Sequence, residues 1–154
     1  MRNGISFLKH TSLFFFAPAF FFVSCQKEIP GEPKEPTKKE LIINTWIVSD
    51  VLEPGGTSVI NLPVPQIVCL KDNIFKLLSN DTYTIDEGTV ACDPTTAGSG
   101  SWALVGNETV LQFTPAAGGQ LSFSLVEVNA TTLKLSYELG GTLPGIYTII
   151  LKTQ

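Results

Sequence analysis

Beyond residue 40, apolar and polar residues alternate with a period of two. Tyr83 and Ile85 alternate with Thr82, Thr84 and Asp86, while Leu121, Phe123 and Leu125 alternate with Ser122 and Ser124. Successive side chains of an extended strand point to opposite faces, so this period predicts half-buried β-strands. Runs at 42–51 around Trp46, 74–78, 102–105, 110–113, 132–139 and 146–152 read the same way, giving about eight strands. No segment carries a convincing helical period. Residues 65–70 have room for one turn of helix, because Pro63 and Pro65 forbid a longer one.

Between these runs lie turn formers: Asn80-Asp81, Gly106-Asn107, Asn129-Ala130, Gly140-Gly141 and a loop at 94–100. Short links join sequential antiparallel neighbours. Eight such strands, each apolar on one face, bury that face most simply by rolling into a small up-and-down antiparallel β-barrel, which also removes exposed edges. A two-sheet β-sandwich presents the same alternation and turn spacing and stays open as the alternative. The triplets starting at Asn80, Asn107 and Asn129 match the N-glycosylation pattern. They read more simply as tight hairpins, where asparagine tolerates a positive φ.

The N-terminus has a different character. Arg2 and Lys9 precede a run at 13–23 that holds six phenylalanines and no charge. That is the pattern of a secretory signal. The run is about half the ~20 residues a spanning helix needs, and Pro18 interrupts it. It ends in Phe22-Val23-Ser24-Cys25, which resembles the lipobox of bacterial lipoproteins. The resemblance implies cleavage before Cys25, acylation of that cysteine and an outer-membrane location in the cell envelope. Residues 26–40 hold three prolines, four lysines, four glutamates and one large apolar residue. Such a stretch reads as an extended tether. The expected organisation is a signal peptide at 1–24, a lipidated cysteine and flexible linker at 25–40, and one domain at 41–154.

Three cysteines in an exported chain leave one unpaired unless it is otherwise used. With Cys25 assigned to lipid, Cys69 and Cys92 remain, and an oxidising compartment predicts a disulfide between them. Their spacing is wrong for a reactive Cys-x-x-Cys pair.

The order of short motifs carries a family resemblance. Asn44-Thr45-Trp46 is followed by Cys69, Lys71-Asp72-Asn73 and Phe75, then by Asn80-Asp81-Thr82-Tyr83, Glu87-Gly88 and Cys92. Gly100-Ser101-Trp102, Leu111-Gln112-Phe113 and Thr131-Thr132-Leu133-Lys134-Leu135 continue it. Together these resemble the lipocalin-like domain of bacterial lipoproteins. The resemblance implies a small barrel with a binding function.

Chemistry narrows the function further. The single histidine, His10, and the single arginine, Arg2, both lie in the leader. The rest of the chain therefore offers no His-based nucleophile activation, no histidine-ligated zinc and no arginine phosphate clamp. Asp72, Asp81, Asp86, Glu87 and Asp93 gather mid-chain, but adjacent Asp86 and Glu87 point to opposite strand faces and make a poor acid–base pair. They are expected to be solvated edge residues, with no metal site and no cofactor. After Glu40 the domain has four lysines against ten acids, a balance of minus six that repels nucleic acid. Trp46, Tyr83, Trp102, Phe113, Phe123 and Tyr137 are the aromatics expected to line a pocket. About 114 residues allow only short strands, which favours an interior mostly filled by its own side chains. The expected function is non-enzymatic: a membrane-anchored module for a small hydrophobic ligand or lipid. The alternative is a structural or interaction subunit of an envelope complex, contacting its partner through the long loops at 53–64 and 91–100.

Overall fold

The computed structural model describes residues 34–139 and 144–154. The expected leader, Cys25, most of the expected tether and the expected Gly140-Gly141 turn lie outside the described residues. Eight antiparallel strands close into a barrel in chain order: β1 (Thr45–Leu52), β2 (Ile74–Leu77), β3 (Thr82–Asp86), β4 (Gly98–Val105), β5 (Val110–Pro115), β6 (Leu121–Val128), β7 (Thr132–Leu139) and β8 (Gly145–Thr153). Pairing of β8 with β1, from Trp46↔Thr153 to Leu52↔Thr148, makes the closure and settles barrel against sandwich. Two short helices, α1 (Lys38–Ile42) and α2 (Pro65–Val68), complete the elements, and no helix among the described residues is long and apolar enough to cross a membrane.

Two strands break the simple alternation. In β1 the register shifts between Val48 and Asp50, so the buried positions run Trp46, Val48, Val51 instead of keeping an even step. Ser49, the extra residue, donates its hydroxyl to the Ile150 carbonyl at 3.0 Å. A second shift between Leu125 and Glu127 expels Val126 and turns Val128 back toward the core. Each bulge adds curvature that a small closed barrel requires.

The N-terminal end of β1 meets α1, where the sequence reading ends the flexible linker too late. Thr37 and Glu40 form a reciprocal capping box, with the Thr37 amide donating to Glu40 Oε2 at 2.7 Å and the Glu40 amide donating to Thr37 Oγ1 at 3.2 Å. The helix carries Ile42 into full burial, so the compact unit begins at Glu35 and not at residue 41. A five-residue helix is unstable alone; burial of Ile42 and contacts to the barrel hold it. Trp46 Nε1 donates to the Ile42 carbonyl at 2.9 Å, satisfying an acceptor that the helix end leaves open. Lys39 Nζ lies 2.7 Å from Asp81 Oδ1 and 5.7 Å from the centre of the Trp102 ring.

Above α1 the interior is solid. Ile42, Trp46, Leu77, Trp102, Leu111, Leu133 and Leu151 are each at most 2 % exposed and pack as one cluster. Trp102 Nε1 donates to the Leu78 carbonyl at 3.2 Å, in the tight β2–β3 turn. Positive φ in the hairpins of this end falls on Asp81, Gly106, Asn107 and Glu108. Asn80 and Asn129 were expected to take it and instead accept hydrogen bonds through Oδ1, from the Thr82 amide and from the Thr131 and Thr132 amides. These are side-chain-mimicked turns, which relieve the asparagine of the left-handed conformation.

Candidate functional site

The opposite end of the barrel is where the longer connections meet: β1–β2 with α2, β3–β4, and β5–β6. Here the interior is hollow. A cavity of about 640 Å³ opens between these connections, within the ~300–1,000 Å³ range usual for small-molecule sites. Its walls are Phe75, Tyr83, Ile85, Phe113, Phe123 and Ile149, the inward residues of β2, β3, β5, β6 and β8. Its rim is made of small residues, among them Ala97, Gly98, Ala116 and Ala117, which leave the mouth unblocked. The interior is therefore less filled than the strand lengths predict, because β4 contributes Gly98, with open space where a side chain would stand, opposite Ile85 of β3.

Of the six aromatics singled out in the sequence, three reach the cavity. Tyr83, Phe113 and Phe123 line it, joined edge-to-face with ring centres 4.9 Å and 5.7 Å apart. Tyr137 packs on Phe123, with ring centres 5.0 Å apart, and is not part of the lining. Trp46 and Trp102 belong to the plug below, where both indoles are closed over by protein and engaged by backbone carbonyls. They are core residues, at the wrong depth for the cavity. Burial raises the Tyr83 phenol above its usual pKa, so the wall is uncharged at neutral pH.

Cys69 and Cys92 are bonded, with Cα atoms 5.1 Å apart. The bond ties the segment following α2 to the β3–β4 loop, and both stand at the mouth: Leu70 and Thr95 to Ser99 are lining residues. Pro65 at the first position starts α2 and Ile67 buries it, so the helix anchors Cys69 in place.

The mid-chain carboxylates divide. Asp86 is solvated as expected, but Glu87 is only 7 % exposed, a correction to the edge-residue reading. Its Oε2 accepts from Thr95 Oγ1 at 2.9 Å, and its Oε1 accepts from Thr96 Oγ1 at 2.8 Å and from the Thr96 amide. The amide bond, with burial opposing it, holds the Glu87 carboxyl below the usual range. Asp72 does the same work one loop over. Its Oδ2 accepts from the Thr89 hydroxyl at 2.7 Å and the Thr89 amide at 2.6 Å, which lower its pKa. Gly88 between them is in the left-handed region with φ +65°, and a Cβ there would stand 2.6 Å from Asp72 Oδ2. These carboxylates are structural acceptors that hold the β3–β4 loop to the mouth.

Sequence reasoning missed Asn73. It is fully buried, it lines the cavity, and its backbone is fixed by donation of its amide to the Leu70 carbonyl at 3.2 Å and acceptance from the Val48 amide at 3.4 Å. Its Nδ2 donates to Thr96 Oγ1 at 3.2 Å, while Oδ1 is buried without a hydrogen-bond partner. No local signal marks it, since its partner is 23 residues away. Among the described residues, no three His, Cys, Asp or Glu side chains gather in a way that would hold a metal ion.

The closed antiparallel barrel, plugged at one end and hollow at the other, has the form of a calyx. A lipocalin-like protein from Bacteroides uniformis has a similar solved structure, at 12% sequence identity and a TM-score of 0.47, covering 72% of this chain and 96% of that one. No protein-family model matches the chain, and no curated protein matches it.

Proposed function

We propose that this chain is an exported lipoprotein, acylated at Cys25 and held at the outer membrane, whose barrel binds a small hydrophobic ligand or lipid without transforming it. The observation that carries the binding reading is the cavity of about 640 Å³ with aromatic and aliphatic walls above a solid plug. An apolar molecule placed there leaves water and gains roughly 25 cal/mol per Å² of apolar surface buried. The lipobox-like sequence at 22–25 and the tether that follows support attachment to a membrane.

Diphenylhexatriene, a neutral hydrocarbon that fluoresces only in apolar surroundings, tests the cavity. Saturable one-to-one enhancement is expected for the folded domain. Gly98→Phe fills the cavity, since an added Cβ there meets no atom within 4 Å, and it should reduce the enhancement at least tenfold with the barrel's circular dichroism retained. Equal enhancement by both proteins would place the dye elsewhere and remove the reading. Metabolic labelling with an alkyne fatty acid tests the anchor: label on the parent chain and none on Cys25→Ser is the expected pair, and an unlabelled parent refutes it.

A further inference from the structure

One polar group on the cavity floor is spare. Tyr83 pairs with Leu77 of the plug and is itself 4 % exposed, so it stands where the solid half of the barrel gives way to the hollow half. Among the described residues nothing donates to its hydroxyl or accepts from it. Asn73 Oδ1 is also unpartnered, but protein closes it off, whereas the Tyr83 oxygen stays open to the space that the residue lines. The other lining hydroxyls are placed differently. Thr95 and Thr96 give their protons to Glu87, and Ser99 is exposed near the start of β4. Burial keeps the Tyr83 phenol protonated at neutral pH, so its proton is available and uncommitted. A phenol oxygen shares its lone pairs with the ring, which makes the group a better donor than acceptor. What the floor lacks is an acceptor.

We infer that the ligand is a neutral hydrophobic molecule that brings an acceptor oxygen, such as the carbonyl of a ketone or ester, to the Tyr83 hydroxyl while its apolar body lies against Phe113 and Phe123. A lone hydrogen-bonding group in an apolar wall favours the ligand that completes it over one that strips its water and leaves it unpaired. The oxygen must be uncharged, because no charged side chain stands among the lining residues and ionised Glu87 is bonded to Thr95 and Thr96 of the wall. A carboxylate carried to the floor would lose its hydration and meet no cation. A fatty-acid anion can enter only tail first, with its head in water at the mouth and Tyr83 unused. This inference rests on the cavity being a ligand site, and its test separates the two.

Displacement of bound diphenylhexatriene at neutral pH is measured for decan-2-one, for 2-methyldec-1-ene, in which a methylene replaces the oxygen, and for decanoate, each on the parent and on Tyr83→Phe. Comparing one molecule across the two proteins cancels its solubility and isolates the phenol oxygen. Decan-2-one should need a roughly fivefold higher concentration on the variant, about what one hydrogen bond confers, while the alkene, decanoate and the dye itself should stay within about twofold. The variant should also keep the parent's urea midpoint, since no bond inside the protein goes with the hydroxyl. Undiminished displacement by the ketone, or an equal loss for the alkene, overturns the acceptor assignment and leaves the cavity reading intact. A loss largest for decanoate makes the head an anion and overturns it too. So does a lowered midpoint, which would show the hydroxyl serving the fold. Failure of the dye to bind at all removes both inferences.

Discussion

The ring of Tyr83 meets the ring of Phe113 edge-on, with centres 4.9 Å apart and planes at 80°, although their strands are not neighbours. β4 runs between β3 and β5, and opposite Tyr83 it carries Gly100. With no side chain at that position, the aromatic wall of the cavity closes across a strand. Edge-to-face pairs contribute about 0.5–1.5 kcal/mol beyond their burial, so the glycine serves both the wall and the stability of the barrel.

Gly100→Ala should be costly for a second reason. Its Cβ would collide with the Thr114 carbonyl oxygen and stand 2.9 Å from Pro115 Cα, both backbone atoms that cannot swing aside. A loss of about 2 kcal/mol is expected, in the range of overpacked cores. Urea denaturation followed by circular dichroism measures it, and a change below a few tenths of that value would contradict the close approach.

The two tryptophans should differ in what their indole N–H supports. Trp46→Phe leaves the Ile42 carbonyl, at the end of α1, without the donor it has at 2.9 Å in a fully buried site. Trp102→Phe leaves the Leu78 carbonyl with the Asp81 amide still donating to it at 3.1 Å, in an exposed turn. The first substitution should therefore cost more by about 1–2 kcal/mol, the penalty of an orphaned acceptor. Parallel denaturation curves of the two variants test the order.

Opening the Cys69–Cys92 bond restores freedom to a loop with a sequence separation of 23 residues. The chain-entropy relation puts its contribution near about 3 kcal/mol. Reduction, or the Cys69→Ser/Cys92→Ser pair of changes, should lower the denaturation midpoint accordingly. It should also weaken dye binding, because the bond holds the β3–β4 loop that carries Thr95 and Thr96.

Acid should loosen the mouth before the plug. Asp72 and Glu87 have folded-state pKa values below their ordinary ones, so their contribution is complete above the unfolded values of ~4 and is lost as pH falls below them. Glu127, whose carboxylate lies 2.6 Å from Lys134 Nζ, adds to the same limb. Stability should stay level from pH 8 to about 5 and then decline, with the Thr95 and Thr96 amides gaining hydrogen exchange first. Glu87→Gln should be less stable than the parent at pH 7 and show a shallower decline below pH 4.

How much of this was legible in advance follows from what a period of two encodes. Alternation assigns each residue of a strand to the inside or the outside, and the eight strands it predicts are the eight that form the barrel. It also put Tyr83, Phe113 and Phe123 inside, along with Trp46 and Trp102. Height along the barrel axis is not encoded by alternation. It depends on strand stagger, on bulges such as those at Ser49 and Val126, and on where α1 docks. For that reason the sequence could not separate the tryptophans of the plug from the phenylalanines of the cavity.

By itself the sequence determined the all-β class, the number of strands, the pairing of Cys69 with Cys92 and the absence of histidine and arginine beyond residue 10. All of these rest on local pattern or on counting. The tertiary structure alone decided that the barrel is plugged at one end and open at the other, and that Glu87, Thr96 and Asn73 form one oriented chain of hydrogen bonds. Those are relations between residues from different strands and loops, and they exist only once closure of β8 on β1 has brought the loops of one end together.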